Sequence, residues 1–197
     1  MQKNVKEFID FVKNECKKYG IKCKLKNVSY LKLSDGINCS GFFDEEDKEL
    51  VVAMKHPLAL GVLAHEYSHL TQWVDGCKEW KEGCRGLPKV DDWLTGKNVR
   101  NIKRYLAYSR DLELDNEKRT VKLIKKWKLP IDIKDYVQRA NSYIQFYNWL
   151  YYSRKWSSPS NSPYTNPNVY GKMPTTFRMN YKTMSDKYKQ LYKKEKI

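Results

Sequence analysis

The chain has 197 residues, 41% of them hydrophobic, and a formal charge of +15. That length suits one domain and that apolar content can bury a core, so wholesale disorder is excluded. No run approaches the roughly 20 consecutive apolar residues of a spanning helix, and the opening MQKNVKEFIDFVKNECKK interleaves charge with apolar residues where a signal peptide would carry a hydrophobic run.

The expectation is a cytoplasmic protein with no membrane partner. Five cysteines (Cys16, Cys23, Cys39, Cys77 and Cys84) are an odd number. A disulfide framework is neither needed by a chain of this size nor completable, and a reducing compartment fits. They read as small buried hydrophobes, with a second metal site at Cys77 and Cys84 as the alternative. The charge is uneven: residues 1–117 hold 20 Lys+Arg against 19 Asp+Glu, a net of +1, and residues 118–197 hold the other 18 against 4, a net of +14.

In chain order, Val5, Phe8, Ile9, Val12 and Cys16 recur at helical spacing, with Gly20 as a stop, and predict an amphipathic first helix over residues 1–19. Residues 21–54 alternate in short stretches around the acidic turn DEEDKE and predict a three-stranded antiparallel sheet. From Pro57 the stretch LALGVLAHEYSHLTQWV predicts a buried helix ending near Gly76. Residues 77–98, with three glycines and a proline, predict a connecting loop. A long helix from about Val99 to Trp127 is closed by Pro130, and an aromatic helix follows from Ile133 to about Tyr152. The segment SSPSNSPYTNPN predicts an irregular arm, and a short basic helix is expected after Ser185. The fold class is α+β, with a core over 1–152 and a basic, aromatic arm over 153–197 packed on it.

The chemistry centres on HEYSH, in which His65, Glu66 and His69 hold two of the chain's three histidines. Residues four apart share a helix face, so both imidazoles can reach one Zn2+ while Glu66 handles the proton of a bound water. Catalytic zinc takes three protein ligands and keeps an open position, so a third ligand is needed. His56, before Pro57, is poorly placed to turn back onto its own helix. A compact arrangement would use Asp75, but puts Gln72 where a glycine is required. On the long helix, Glu113 falls within about 20° of Ile102, Leu106, Thr120 and Ile124, and Glu117 about 40° away, whereas Asp111 and Asp115 lie on the far face. A carboxylate inside an apolar stripe needs a partner. Zinc supplies one for Glu113, an ion pair with Arg110 is the alternative, and Glu117 suits a hydrogen bond to the outer N–H of a ligand histidine.

On HEYSHLTQW, the hairpin GFFDEEDKELVVA and the later ELDNE, the chain resembles a gluzincin-type zinc metallopeptidase. It is most similar to the ImmA/IrrE-type enzymes and their compact phage-encoded relatives, over about the first two thirds. The resemblance implies a zincin-like fold in a hydrolase whose substrate is a protein or peptide. It also implies His65, His69 and Glu113 as zinc ligands, Glu66 as general base and Glu117 as the companion carboxylate. For a phage-encoded member the compartment would be the host cytoplasm. Tyr67, Arg139, Tyr143 and Tyr147 are the candidate donors to a developing oxyanion. Two rival readings stand beside this one. The basic, aromatic region after residue 118 could bind an acidic partner or nucleic acid, or the zinc could be purely structural.

Overall fold

The computed structural model describes residues 2–33, 36 and 38–197. Met1 of the expected first helix and Ile37 of the expected strand INCSGFF lie outside the described residues. The described chain is α+β, and it divides into two compact units, residues 1–75 with 119–131 and residues 76–118 with 132–197. Helix α4 begins in the second and ends in the first.

The first unit opens with helix α1, Lys3–Lys18, which buries Phe8, Ile9, Val12 and Cys16. Gly20, at φ +71, ends it, and the Ile21 N–H donates back to the Cys16 carbonyl at 2.8 Å, a closure that a left-handed glycine permits. Among the described residues five strands follow: β1 Lys22–Lys26, β2 Leu31–Lys32, β3 Asn38–Cys39, β4 Gly41–Asp44 and β5 Glu49–Ala53. The apolar ELVVA run is the central strand of a β1-β5-β4 sheet and is buried from Leu50 to Ala53. β4 and β5 form the expected hairpin, in register Gly41↔Val52 to Asp44↔Glu49. Its acidic turn is set by Asp44, whose Oδ1 accepts from the Glu46 and Asp47 N–H groups, both at 2.8 Å, an Asx turn.

The expected all-antiparallel sheet is corrected in two respects. β1 runs parallel to β5, in register Lys22↔Glu49 to Lys26↔Ala53. β2 and β3 pair with each other as a separate two-stranded ladder. Parallel neighbours need a crossover of a dozen residues or more, and residues 27–48, which contain β2, β3 and β4, supply it.

Helix α2, Ala59–Asp75, carries the HExxH motif and buries Leu63, Ala64, Tyr67 and Leu70 together with Glu66, Ser68 and Gln72. Gly76, at φ +55, follows its last residue. Within this unit the end of α4 is tied to α2: the Thr120 hydroxyl donates to Ser68 Oγ at 3.0 Å, and Arg119 reaches Thr71 Oγ1 and Asp75.

The second unit holds α3 (Lys78–Leu94), most of α4 (Ile102–Lys126), α5 (Ile133–Ser153) and a tail with α6 (Pro167–Tyr170) and α7 (Asp186–Lys194). α3 replaces the loop expected over 77–98. Its glycines are contact residues: a Cβ on Gly83 would meet Leu112 Cδ2 at 2.5 Å, and one on Gly86 would meet the Tyr105 carbonyl oxygen at 3.1 Å. They let α3 lie close against α4. Only Gly96, at φ +99 beyond the helix end, acts as a breaker.

The arm is more ordered than its composition suggests, with a 3-10 turn at Pro159–Asn161 as well as α6. Most of its length has no ladder of its own. Instead, four amide side chains on one stripe of α5 hold its backbone. Gln138 donates to the Met173 carbonyl (2.8 Å), Asn141 to Pro174 (2.7 Å), Gln145 to Asn180 (2.9 Å) and Asn148 to Tyr181 (2.9 Å). Met173, Met184, Tyr192 and Ile197 from the tail join Val90, Trp93, Phe146 and Leu150 in this unit's core. Among the described residues no helix is long and apolar enough to cross a membrane, and the five cysteines form no disulfide.

Candidate metal centre

The geometry begins on α2. His65 and His69, one turn apart, stand edge to face with ring centroids 4.8 Å apart. Glu66, between them in sequence, is 8% exposed. Its stem packs against β4 where Gly41 has no side chain: a Cβ there would lie 3.2 Å from Glu66 Cγ and 2.5 Å from Val62 Cγ1. The glycine lets the outer strand of the sheet approach the helix at the motif.

His69 is held in one tautomer. Its Nδ1–H donates to Gln72 Oε1 at 2.9 Å, which makes Nε2 the ring nitrogen without a hydrogen, the one through which such an imidazole can bind a metal. Burial first, and the neighbouring His65 second, push the His69 pKa well below its ordinary value, against a smaller upward pull from Gln72. The imidazole is therefore neutral, the form that binds a metal. Sequence reasoning treated Gln72 only as a departure from a glycine position. Its signal was an amide three residues after the second histidine, on the same helix face.

His56 has a different use. Its Nδ1 accepts the Leu58 N–H at 3.2 Å ahead of α2, and its ring meets Tyr30 edge-on. Asp75, the alternative third ligand, is paired with Arg119 at the far end of α2. Tyr67 is buried edge-on against Phe11 of α1.

On α4 the helical stripe separates the acids as periodicity expects. Glu113 and Glu117 are buried, whereas Asp111 and Asp115 are half-buried. Seven residues make 700°, so Glu113 shares the face of Thr120 to within about 20°. Arg110, the alternative partner of Glu113, pairs with Asp111 at 2.8 Å and donates to Asn148 Oδ1 at 3.2 Å. Glu117 Oε2 accepts the Tyr136 hydroxyl at 2.6 Å, a partner from α5 that the sequence did not disclose. Further along α5 the hydroxyls of the half-buried Tyr143 and the buried Tyr147 lie 3.2 Å apart. The pKa of each is raised, by burial first and with Glu113 contributing, so both remain O–H donors. Arg139 instead holds the tail, pairing with Asp135 and donating to the Tyr164 carbonyl and the Tyr170 hydroxyl, both at 2.8 Å.

The cysteine alternative takes another form. Cys77 gathers with Glu79 and Asp115, their ligand atoms within 4.8 Å of one another, and Cys84 lies further along α3.

The chain matches no family model, no curated protein and no solved structure.

Proposed function

We propose that the protein is a zinc-dependent peptidase of zincin-like fold, with His65, His69 and Glu113 holding the ion and Glu66 as general base. The observation that carries this reading is the α2 pair: two imidazoles one turn apart, one held through Nδ1 by Gln72, and a buried carboxylate beside them. The donor set suits the ion. Two imidazoles and a carboxylate are a recognised ligand set for catalytic zinc.

When bound, zinc supplies the Lewis acidity that brings a water's pKa toward about 7. The protein's part is positional. Glu66 accepts the water's proton and passes it to the leaving amine. Gln72 keeps His69 in the ligating tautomer. Glu117, held by Tyr136, suits the role of companion carboxylate. Tyr143 and Tyr147 offer hydroxyl donors for the oxyanion. β4, the outer strand beside Glu66, offers backbone groups with which an extended peptide can pair.

The test begins with elemental mass spectrometry of dialysed protein. Wild type is expected to hold one zinc, and Glu113→Ala to lose or weaken it. Zinc-loaded wild type should then cleave members of a peptide library, while Glu66→Gln keeps its zinc and cleaves none. Wild type that binds no metal under replete conditions, or a Glu66→Gln protein that cleaves like wild type, refutes the proposal.

A further inference from the structure

The second unit carries a cationic groove for which peptidase chemistry has no use. A hollow of about 520 Å3 is lined by Lys103 and Arg110 of α4, Tyr151 and Tyr152 at the end of α5, and Lys182 and Lys189 of the tail. Among the described residues lining it there are four cations and no carboxylate. A second hollow of about 420 Å3 shares Lys103 and Tyr151 and adds Arg104. The basic lining therefore continues as a track instead of closing as a cup.

The charges are not equivalent. Arg110 is buried and already paired with Asp111. Lys103 and Lys182 are exposed, and Lys189 pairs with the exposed Asp186 at 3.0 Å, a pairing of little strength in water, and also hydrogen-bonds the Tyr152 hydroxyl. The aromatics are unusual too. This unit packs Phe146, Tyr147 and Tyr192 inside, yet leaves Tyr151 40% and Tyr152 55% exposed. Lys103 Nζ lies 4.6 Å from the Tyr151 ring centroid and Lys189 Nζ 5.0 Å from that of Tyr152. Each exposed ring thus sits beside an ammonium group.

We propose that this groove binds single-stranded nucleic acid, with phosphates along Lys103, Lys182 and Lys189 and bases stacked on Tyr151 and Tyr152. Cationic tracks with aromatic platforms are how proteins hold unpaired strands. An inorganic phosphate or an acidic polypeptide would use the lysines and leave the rings idle. A duplex keeps its bases stacked on one another. A mononucleotide would fill one hollow where two are joined. The basic composition points to the region after residue 118, whereas the groove also draws Lys103 from a stretch whose net charge is nearly zero. None of the proposed zinc ligands takes part, so the two proposals stand or fall separately.

The test is fluorescence anisotropy of the full chain with a labelled oligothymidine long enough to span both hollows, over a range of salt. Wild type should bind at low salt. Replacing the three lysines (K103Q, K182Q, K189Q) should make the log–log salt slope shallower by about 2, since single strands contribute about 0.7 per phosphate contact. The same term implies an affinity loss of about a hundredfold at 0.1 M salt. Tyr151→Ala with Tyr152→Ala should weaken binding roughly tenfold or more and leave the slope unchanged. A charge-matched control at exposed positions off the groove (K172Q, K193Q, K194Q) should bind like wild type. Circular dichroism checks each fold, and Lys182→Glu alone replaces the triple variant should that unfold. Four results would each overturn the proposal: no binding by wild type at low salt, equal loss in the control, full binding without the tyrosines, or polyglutamate competing as well as unlabelled oligothymidine.

Discussion

Gln72→Leu tests the tautomer argument without any knowledge of the substrate. Gln72 is fully buried, and its Oε1 is the acceptor of the His69 Nδ1–H at 2.9 Å. Leucine fills a similar volume but accepts nothing, so a buried donor loses its partner, at a cost of about 1–3 kcal/mol. Removing the group that orients a ligand histidine typically weakens metal binding about 10- to 100-fold, or about 1.4–2.7 kcal/mol at 1.36 kcal/mol per decade. The two figures agree, as expected if the lost hydrogen bond is what orients the ring. The assay is competition for zinc between metal-stripped protein and a chromophoric chelator, with the melting temperature of the apo-protein as a folding control. At about 2–4 °C per kcal/mol for a chain of this size, the apo-protein should melt about 2–12 °C lower. Gln72→Glu keeps an acceptor and should hold zinc at least as tightly as wild type. Zinc affinity unchanged by Gln72→Leu, in a protein that melts lower, would show that the amide supports the fold and does not set the ligand, and the assignment of Nε2 would fall with it.

Three further outcomes follow from the geometry. Gly83→Ala should be neutral to destabilising by about 2 kcal/mol in urea titrations, because crowding against Leu112 costs about 1–3 kcal/mol and the better helix former returns about 1; a gain of a full kcal/mol would mean that α3 and α4 are not in close contact. Burial lowers the His56 pKa, and its Nδ1 accepts the Leu58 N–H only while unprotonated. The unfolded chain therefore binds the proton first, and the stability linked to this group is present above about pH 6.5 and lost as pH falls below it; an NMR titration midpoint above the unfolded value would reverse that sign. Gly41→Val should destabilise the first unit and displace Glu66, since a Cβ at this position would lie 2.5 Å from Val62; unchanged melting and unchanged cleavage would show that β4 does not press on the motif.

Five helices were legible from the spacing of their apolar residues and their end signals: α1, α2, α4, α5 and α7 all lie close to their expected ranges. Strand direction was not. Alternation around Cys23 and Leu25 marks a strand, but which neighbour it pairs with, and in which sense, depends on a contact with β5 that no local pattern encodes. α3 was hidden because Gly83 and Gly86 look like breakers until the helix they touch is known. The α2 motif was explicit in spacing, and the buried stripe on α4 separated Glu113 and Glu117 from Asp111 and Asp115. What escaped were partners that answer a buried polar group from elsewhere: Gln72 on the same helix, and Tyr136 from α5.

The amide stripe on α5 has a consequence for proteolysis. Proteases take hold of extended backbone largely through its carbonyl and N–H groups, and the tail between residues 173 and 181 would ordinarily be such a segment. Gln138, Asn141, Gln145 and Asn148 already occupy carbonyls at both ends of it, those of Met173, Pro174, Asn180 and Tyr181, while Thr175, Thr176 and Arg178 face solvent. The segment is gripped by its main chain at both ends and displays these side chains between them. Its outward positions, Thr175, Thr176 and Arg178, can change without loosening that grip.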